Sequence, residues 1–177
     1  RLKEVEDVEE TIASNTFGTI IHDTLKDLYA PFSNSFISKE IINEMKKTLE
    51  QLVIKQFQKH YSLNSISTGK NLLTFEIAIQ FLTNFLNYEI SELEKGKKIK
   101  IIAIEKEVFL QHNIKEIDIP ILLTGHIDRI DEVDGVLRIV DYKTGKVEPK
   151  NLNFSDWDLL STQEQYSKSF QVLMYAY

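Results

Sequence analysis

Apolar residues recur at helical spacing through Phe17, Ile20, Ile21, Leu25, Leu28 and Tyr29, which gathers them on one side of an α-helix. Ser14-Asn15-Thr16 supplies side-chain oxygens to cap its start, and Pro31 closes it. Ser38 caps a second helix, in which Ile41, Met45, Leu49, Leu52, Val53 and Phe57 keep the period to about His60. Its other side, with Lys46, Lys47, Glu50 and Lys55, reads as solvated. A loop follows around Ser62 to Thr68, and then a long helix from about Lys70 to Leu93. Leu72, Leu73, Phe75, Ile77, Ile79, Phe81, Leu82, Phe85, Leu86 and Ile90 cover most of its circumference, so it is expected to be largely buried. Residues 2–13 are acidic and read as a short helix or a lead-in from an upstream domain.

Beyond Lys95-Gly96-Lys97-Lys98-Ile99-Lys100, the densest basic cluster of the chain, the pattern changes to runs of branched residues. Ile101 to Phe109 predicts a strand, His112 to Glu116 a polar turn, and Ile117 to Leu123 a further strand with Pro120 at an edge or bulge. Asp134-Gly135 between two apolar runs is the strongest short-range signal for a two-residue hairpin turn. If these two form the turn, Val133 faces Val136, Ile130 faces Ile139, Asp128 faces Asp141 and His126 faces Lys143. Asp128, Asp141 and Lys143 then share one face of the sheet. Two opposed carboxylates about 5 Å apart repel each other, so the arrangement calls for a cation between or beside them. A divalent metal ion answers that need; solvated carboxylates with Lys143 as an ion-pair partner answer it too. The polar segment Lys146 to Ser161 follows, with Phe154 and Trp157 as anchors, and Tyr166 to Tyr177 is helical in pattern. A helical N-terminal half, then strands, then a helix make the expected class α/β, of the α+β kind.

The length suits one domain with a sizeable core. No window of about 18 uncharged apolar residues is present, so no membrane span is expected, and no signal peptide opens the chain. The first residue is Arg1 and the sequence stops at Tyr177 inside a helical pattern, which reads as a fragment of something larger. With no cysteine, the chain can make neither disulfides nor zinc-thiolate sites.

Gly125-His126-Ile127-Asp128-Arg129-Ile130-Asp131, followed by Asp141-Tyr142-Lys143-Thr144-Gly145, resembles the core of the PD-(D/E)XK nuclease superfamily. The particular resemblance is to its RecB-like branch, found in helicase-nucleases of the RecBCD and AddAB kind. Two flanking motifs of that branch are also present, Gly-x-x-x-His as Gly18 to His22 and Gln-x-x-x-Tyr as Gln171 to Tyr175. Four motifs in the family's order, across nearly the whole chain, are far more specific than any one of them.

The resemblance implies a single nuclease domain over residues 1–177, with a restriction-endonuclease-like core and a mixed sheet whose central hairpin is flanked by helices. It implies a Mg²⁺-dependent deoxyribonuclease, the exonuclease domain of a DNA-repair helicase-nuclease. Asp128, Asp141, His22 and the backbone carbonyl of Tyr142 would hold Mg²⁺ or Mn²⁺, because such oxygen donors suit hard cations. Lys143 would act with Asp128 and Asp141 in catalysis, and Gln171 and Tyr175 would position DNA. Spacing alone reads His22 as a packed, hydrogen-bonded histidine; the resemblance makes it a ligand. Without cysteine the iron-sulfur cluster of some relatives is excluded.

The implied partners are DNA and a helicase domain or subunit, with no membrane, in the cytoplasm. A net charge of -6 is unfavourable for capturing a phosphate backbone unaided, so an attached domain is expected to deliver the DNA. Lys146 and Lys150, and the Lys95 to Lys100 cluster, are candidate phosphate contacts, the cluster being equally readable as a solubilising loop. Phe75, Phe81, Phe85 and Tyr88 read as core and not as a stacking platform. Glu105 is a further acid whose face relative to the hairpin nothing fixes. Relatives add a strand after the Gln-x-x-x-Tyr helix, and none remains here. The alternatives are a catalytically silent DNA-positioning or structural module and a metal-dependent phosphohydrolase of small substrates.

Overall fold

The computed structural model describes residues 14–61, 69–113, 120–152 and 156–176. The acidic segment 2–13, the loop over 62–68, most of the polar turn after His112, and Phe154 lie outside them. The chain divides into two compact units, Arg1–Tyr142 and Lys143–Tyr177.

In the first unit the three expected helices form within a residue or two of their expected ends: α1 (Ser14–Tyr29), α2 (Lys39–Gln58) and α3 (Gly69–Glu94). Ser38 caps α2 by accepting from the Ile41 N–H, which satisfies one of the donors that a helix start leaves unpaired. The core joins Ile20, Ile21 and Leu25 of α1, Ile42, Leu49 and Val53 of α2, and Phe75, Leu82 and Leu86 of α3. The expectation that α3 is largely buried is corrected. One side packs on α1 and α2, while Leu73, Ile77, Phe81 and Tyr88 are exposed. Apolar composition says that a surface can be buried, and only the neighbouring elements decide whether it is.

The sheet has the order β1 (Ser35–Phe36), β2 (Ile99–Asn113), β3 (Pro120–Val133), β4 (Val136–Val140), and every described pairing is antiparallel. The α+β class is therefore as expected, whereas the expected mixed sheet is replaced by an antiparallel one among the described strands. The hairpin β3–β4 is also not central, because β4 is an edge strand of this order. Of the strand expected over Ile117–Leu123, the described part, Pro120–Leu123, runs on into the first hairpin strand as one long β3.

Asp134 and Gly135 both have positive φ, 52° and 84°, the primed-turn geometry that matches strand twist and that Asp-Gly favours. Lys98 N–H donates to the Asp134 carboxylate at 2.9 Å, which ties this turn to the start of β2. The expected register holds at Val133↔Val136 and Ile130↔Ile139. It stops at Arg129↔Val140, so Asp128 and Asp141 are not ladder partners. His126 likewise does not pair with Lys143; its partner is Glu107 on β2.

The second unit holds short 3₁₀ turns at Pro149–Leu152 and Glu164–Tyr166, with helices α4 (Trp157–Thr162) and α5 (Ser167–Ala176). Asp156 caps α4 by accepting from the Asp158 N–H at 2.9 Å. Trp157, expected to anchor the segment, is 70% exposed. It opens a six-residue helix, and Leu160, one turn on, is the residue that is buried.

Candidate metal centre

His22 lies on α1 next to the buried Ile21 and one turn before Leu25, so the packed stripe of the helix fixes where its imidazole points. Nε2–H donates to the backbone carbonyl of Tyr142 at 2.7 Å, and Nδ1 is 3.5 Å from Asp128 Oδ2. The same Asp128 oxygen accepts the Tyr142 N–H at 2.7 Å. The three residues thus form a closed circuit in which the chain, having just left β4, is held by both faces of one peptide segment. The His22 and Tyr142 rings meet edge to face, 5.8 Å between centroids.

Glu105 completes the group. One ligating atom each from His22, Glu105 and Asp128 lie within 4.8 Å of one another. A bulge brings the glutamate there. Ile101 pairs with Asp131, but beyond the irregularity Ala103 pairs with Ile130 and Ile104 with Arg129, so one residue has been inserted. Without the insertion Ile104 would oppose Asp128, and Glu105 would point to the other face. With it, Glu105 stands opposite Asp128, between the paired positions Ile104↔Arg129 and Lys106↔Ile127. Its φ of 50° is left-handed backbone, costly for a side chain other than glycine's and often found at functional sites. Sequence reading could not place Glu105, because an unseen one-residue bulge reverses its face.

Over its whole length, residues 1–177, the chain matches the PD-(D/E)XK nuclease superfamily. The chain belongs to that superfamily. No curated protein matches it. Membership suggests a metal-dependent nuclease, and the donor set of this superfamily member fits a hard divalent cation. Asp128 and Glu105 supply carboxylates, His22 an imidazole and Tyr142 a carbonyl oxygen. With no cysteine in the chain, thiolate-bound metals and a cysteine-ligated iron-sulfur cluster are excluded.

The electrostatics agree with a place made for positive charge. The pKa of His22 is raised, chiefly by its hydrogen bond to Asp128; burial opposes this, and the Asp128 charge, the Tyr142 carbonyl and Asp141 add to it. Asp141, half-buried after the end of β4, therefore acts on the same imidazole. A protonated His22 puts its two N–H groups toward the carboxylate and the carbonyl that an ion would use.

Directly behind Asp128 lies a charged cluster that sequence reading missed. Arg129 is fully buried. Its Nε and Nη2 donate to the two oxygens of Asp131 at 2.8 and 2.9 Å, and Nη2 also donates to Glu89 of α3. Tyr29 donates to the same glutamate, and the guanidinium lies 4.4 Å from the Tyr29 ring centroid. Arg138 adds a 2.6 Å bond to Asp131. Two cations thus neutralise two buried acids, and the network ties β3, one residue from Asp128, to α1 and α3. Tyr142 packs against it through Phe85, ring centroids 5.5 Å apart, and burial pushes the Tyr142 hydroxyl pKa up.

The remaining expected residues belong to the second unit. Lys143 follows Tyr142 by one peptide bond and is exposed. Gln171 and Tyr175 share a face of α5, as their spacing requires, and the Gln171 amide donates to the Tyr175 hydroxyl at 2.7 Å. No described helix is long and apolar enough to cross a membrane.

Proposed function

We propose that residues 1–177 form one Mg²⁺- or Mn²⁺-dependent deoxyribonuclease domain of the RecB-like branch, the exonuclease part of a DNA-repair helicase-nuclease in the cytoplasm. The observation that carries this reading is the convergence of His22, Glu105 and Asp128, with the Tyr142 carbonyl beside them, on a chain of this superfamily. His22, Asp128, Asp141 and the Tyr142 carbonyl would hold the ion, and Glu105 would join them. When bound, the ion would neutralise charge on the scissile phosphate and lower the pKa of a nearby water, so that its deprotonated form is available as nucleophile. Asp128 and Asp141 orient that water by accepting its hydrogen bonds. Lys143 balances the negative charge that grows on the phosphate as the new P–O bond forms, an interaction strongest in the transition state. Gln171 and Tyr175 position the DNA. The phosphodiester is hydrolysed directly: as the new P–O bond forms, the bond to the leaving 3′ or 5′ oxygen breaks, the attacking water gives up its proton to solvent, and the leaving oxygen takes one from solvent. With a net charge of -6 the domain relies on a helicase domain or subunit to bring the strand to it.

The test is calorimetric titration of Mn²⁺ into the wild-type protein and Asp141→Ala, paired with cleavage of labelled linear DNA on a gel. Metal binding that disappears in the variant, together with metal-dependent cutting, supports the reading. Metal binding without cutting in the presence of the helicase partner identifies a silent DNA-positioning module instead.

A further inference from the structure

The β2–β3 ribbon continues past the metal centre, and the register places its residues by face. Glu105 and Asp128 share one face. Going outward along the same face come Glu107↔His126 and Phe109↔Thr124. These four side chains, with Gly125, line an open depression of about 410 Å³. Phe109 is 66% exposed. His126 Nε2 is 3.3 Å from Glu105 Oε2, so one residue of the depression is in direct contact with the metal centre.

From this continuity we infer that the depression is a nucleobase subsite, in which an unpaired base of the substrate strand stacks on Phe109 while its phosphate backbone runs toward Asp128. The inference rests on the nuclease reading above and adds a specificity-determining contact to it. Three observations select this occupant. Thr124 lies four residues from Asp128 on one strand, about 13 Å, a distance that an extended strand spans within two nucleotides. An exposed aromatic ring provides a stacking surface for a base. Glu107 beside it repels phosphate but accepts a hydrogen bond from an exocyclic amino group, so the depression takes the base and not the backbone. Thr124 and His126 flank the ring with polar groups on the side of the metal centre, and Leu122, the next residue outward on this face of β3, is exposed as well. The subsite favours adenine, cytosine or guanine, which carry amino groups, over thymine, which carries none. A base in a duplex is stacked and paired, so the subsite engages an unpaired stretch.

The experiment uses the whole protein and a short single-stranded oligonucleotide with phosphorothioate linkages, which resist cutting, carrying one 2-aminopurine moved stepwise along it. Stacking on Phe109 quenches its fluorescence at one position. Phe109→Ala and Phe109→Leu abolish that position-dependent quenching and weaken binding about tenfold, Phe109→Trp restores both, and Val136→Ala on the edge strand changes neither. Glu107→Gln reduces the preference for amino-bearing bases over thymine. Because Phe109 is outside the core, thermal melts of its variants should match the wild type. Quenching and affinity unchanged in both Phe109→Ala and Phe109→Leu overturn the inference. Metal-dependent cleavage of an ordinary oligonucleotide is measured in parallel. Cutting without Phe109-dependent quenching defeats the subsite and leaves the nuclease reading intact. Phe109-dependent quenching without cutting does the reverse, and absence of both defeats both.

Discussion

His22 Nδ1 lies 3.5 Å from Asp128 Oδ2 while its Nε2–H is bonded to the Tyr142 carbonyl at 2.7 Å. An imidazolium and a divalent ion would compete for the same oxygens. The raised pKa of His22 means that the folded, metal-free protein binds this proton more tightly than the unfolded chain. The stabilisation is fully present below the unfolded value of 6.5 and is lost as pH rises through the folded one. Metal-free wild type should therefore exceed His22→Asn in stability at pH 6, and the difference should shrink as pH rises above 6.5 in denaturant titrations. Mn²⁺ binding near pH 6.5 should release a proton, seen as a dependence of the calorimetric enthalpy on buffer. A buffer-independent enthalpy, identical in His22→Asn, would remove His22 from the ligand set.

Glu105 sets two effects against each other. Glu105→Gly removes a carboxylate from the centre and also relieves backbone held at a φ of 50°, where glycine is at no disadvantage. The variant should keep or gain thermal stability yet bind Mn²⁺ at least about tenfold more weakly, the loss typical of altered metal sites. Glu107→Gln, two residues away on the same face, should bind the ion as the wild type does. Unchanged Mn²⁺ affinity in Glu105→Gly would leave the bulge as a structural device alone.

Lys143→Ala should separate binding from chemistry. Removing a group that acts on charge developed in the transition state costs about 100- to 1000-fold in kcat, while calorimetric Mn²⁺ affinity stays close to wild type. Asp128→Ala should lose both. Cleavage by Lys143→Ala at more than about a tenth of the wild-type rate would exclude it from the transition state.

Arg129 is the residue whose loss should most damage the fold around the site. Arg129→Met leaves Glu89 and Asp131 buried with one compensating cation fewer. Breaking a buried pair in this way costs about 3–5 kcal/mol, or roughly 10 °C in Tm for a chain of this size. Arg129→Lys keeps the charge without the planar fork and should lie between the two. A Tm for Arg129→Met within about 2 °C of wild type would mean that the acids simply take up protons.

The outlines of α1, α2 and α3, the Asp134-Gly135 turn and the register of Val133 with Val136 were legible in the sequence. Each depends on residues close together in the chain: caps, periods and a turn whose φ values only certain residues adopt. The resemblance, and not spacing, singled out His22 and Asp128 as candidates, while the shared helix face of Gln171 and Tyr175 followed from one helical turn. What lay between distant strands was not. The inserted residue near Ile102 reverses the face of Glu105, and no local pattern marks it. β4 ends at Val140 because the chain turns so that the Tyr142 N–H reaches Asp128, a bond between residues that hairpin counting would leave out of register. The exposure of Leu73, Ile77, Phe81 and Tyr88 on α3, and the burial of Arg129 against Glu89 and Tyr29, were decided by which elements cover which faces. Periodicity determines that a face is apolar or charged, and only three-dimensional packing determines what meets it.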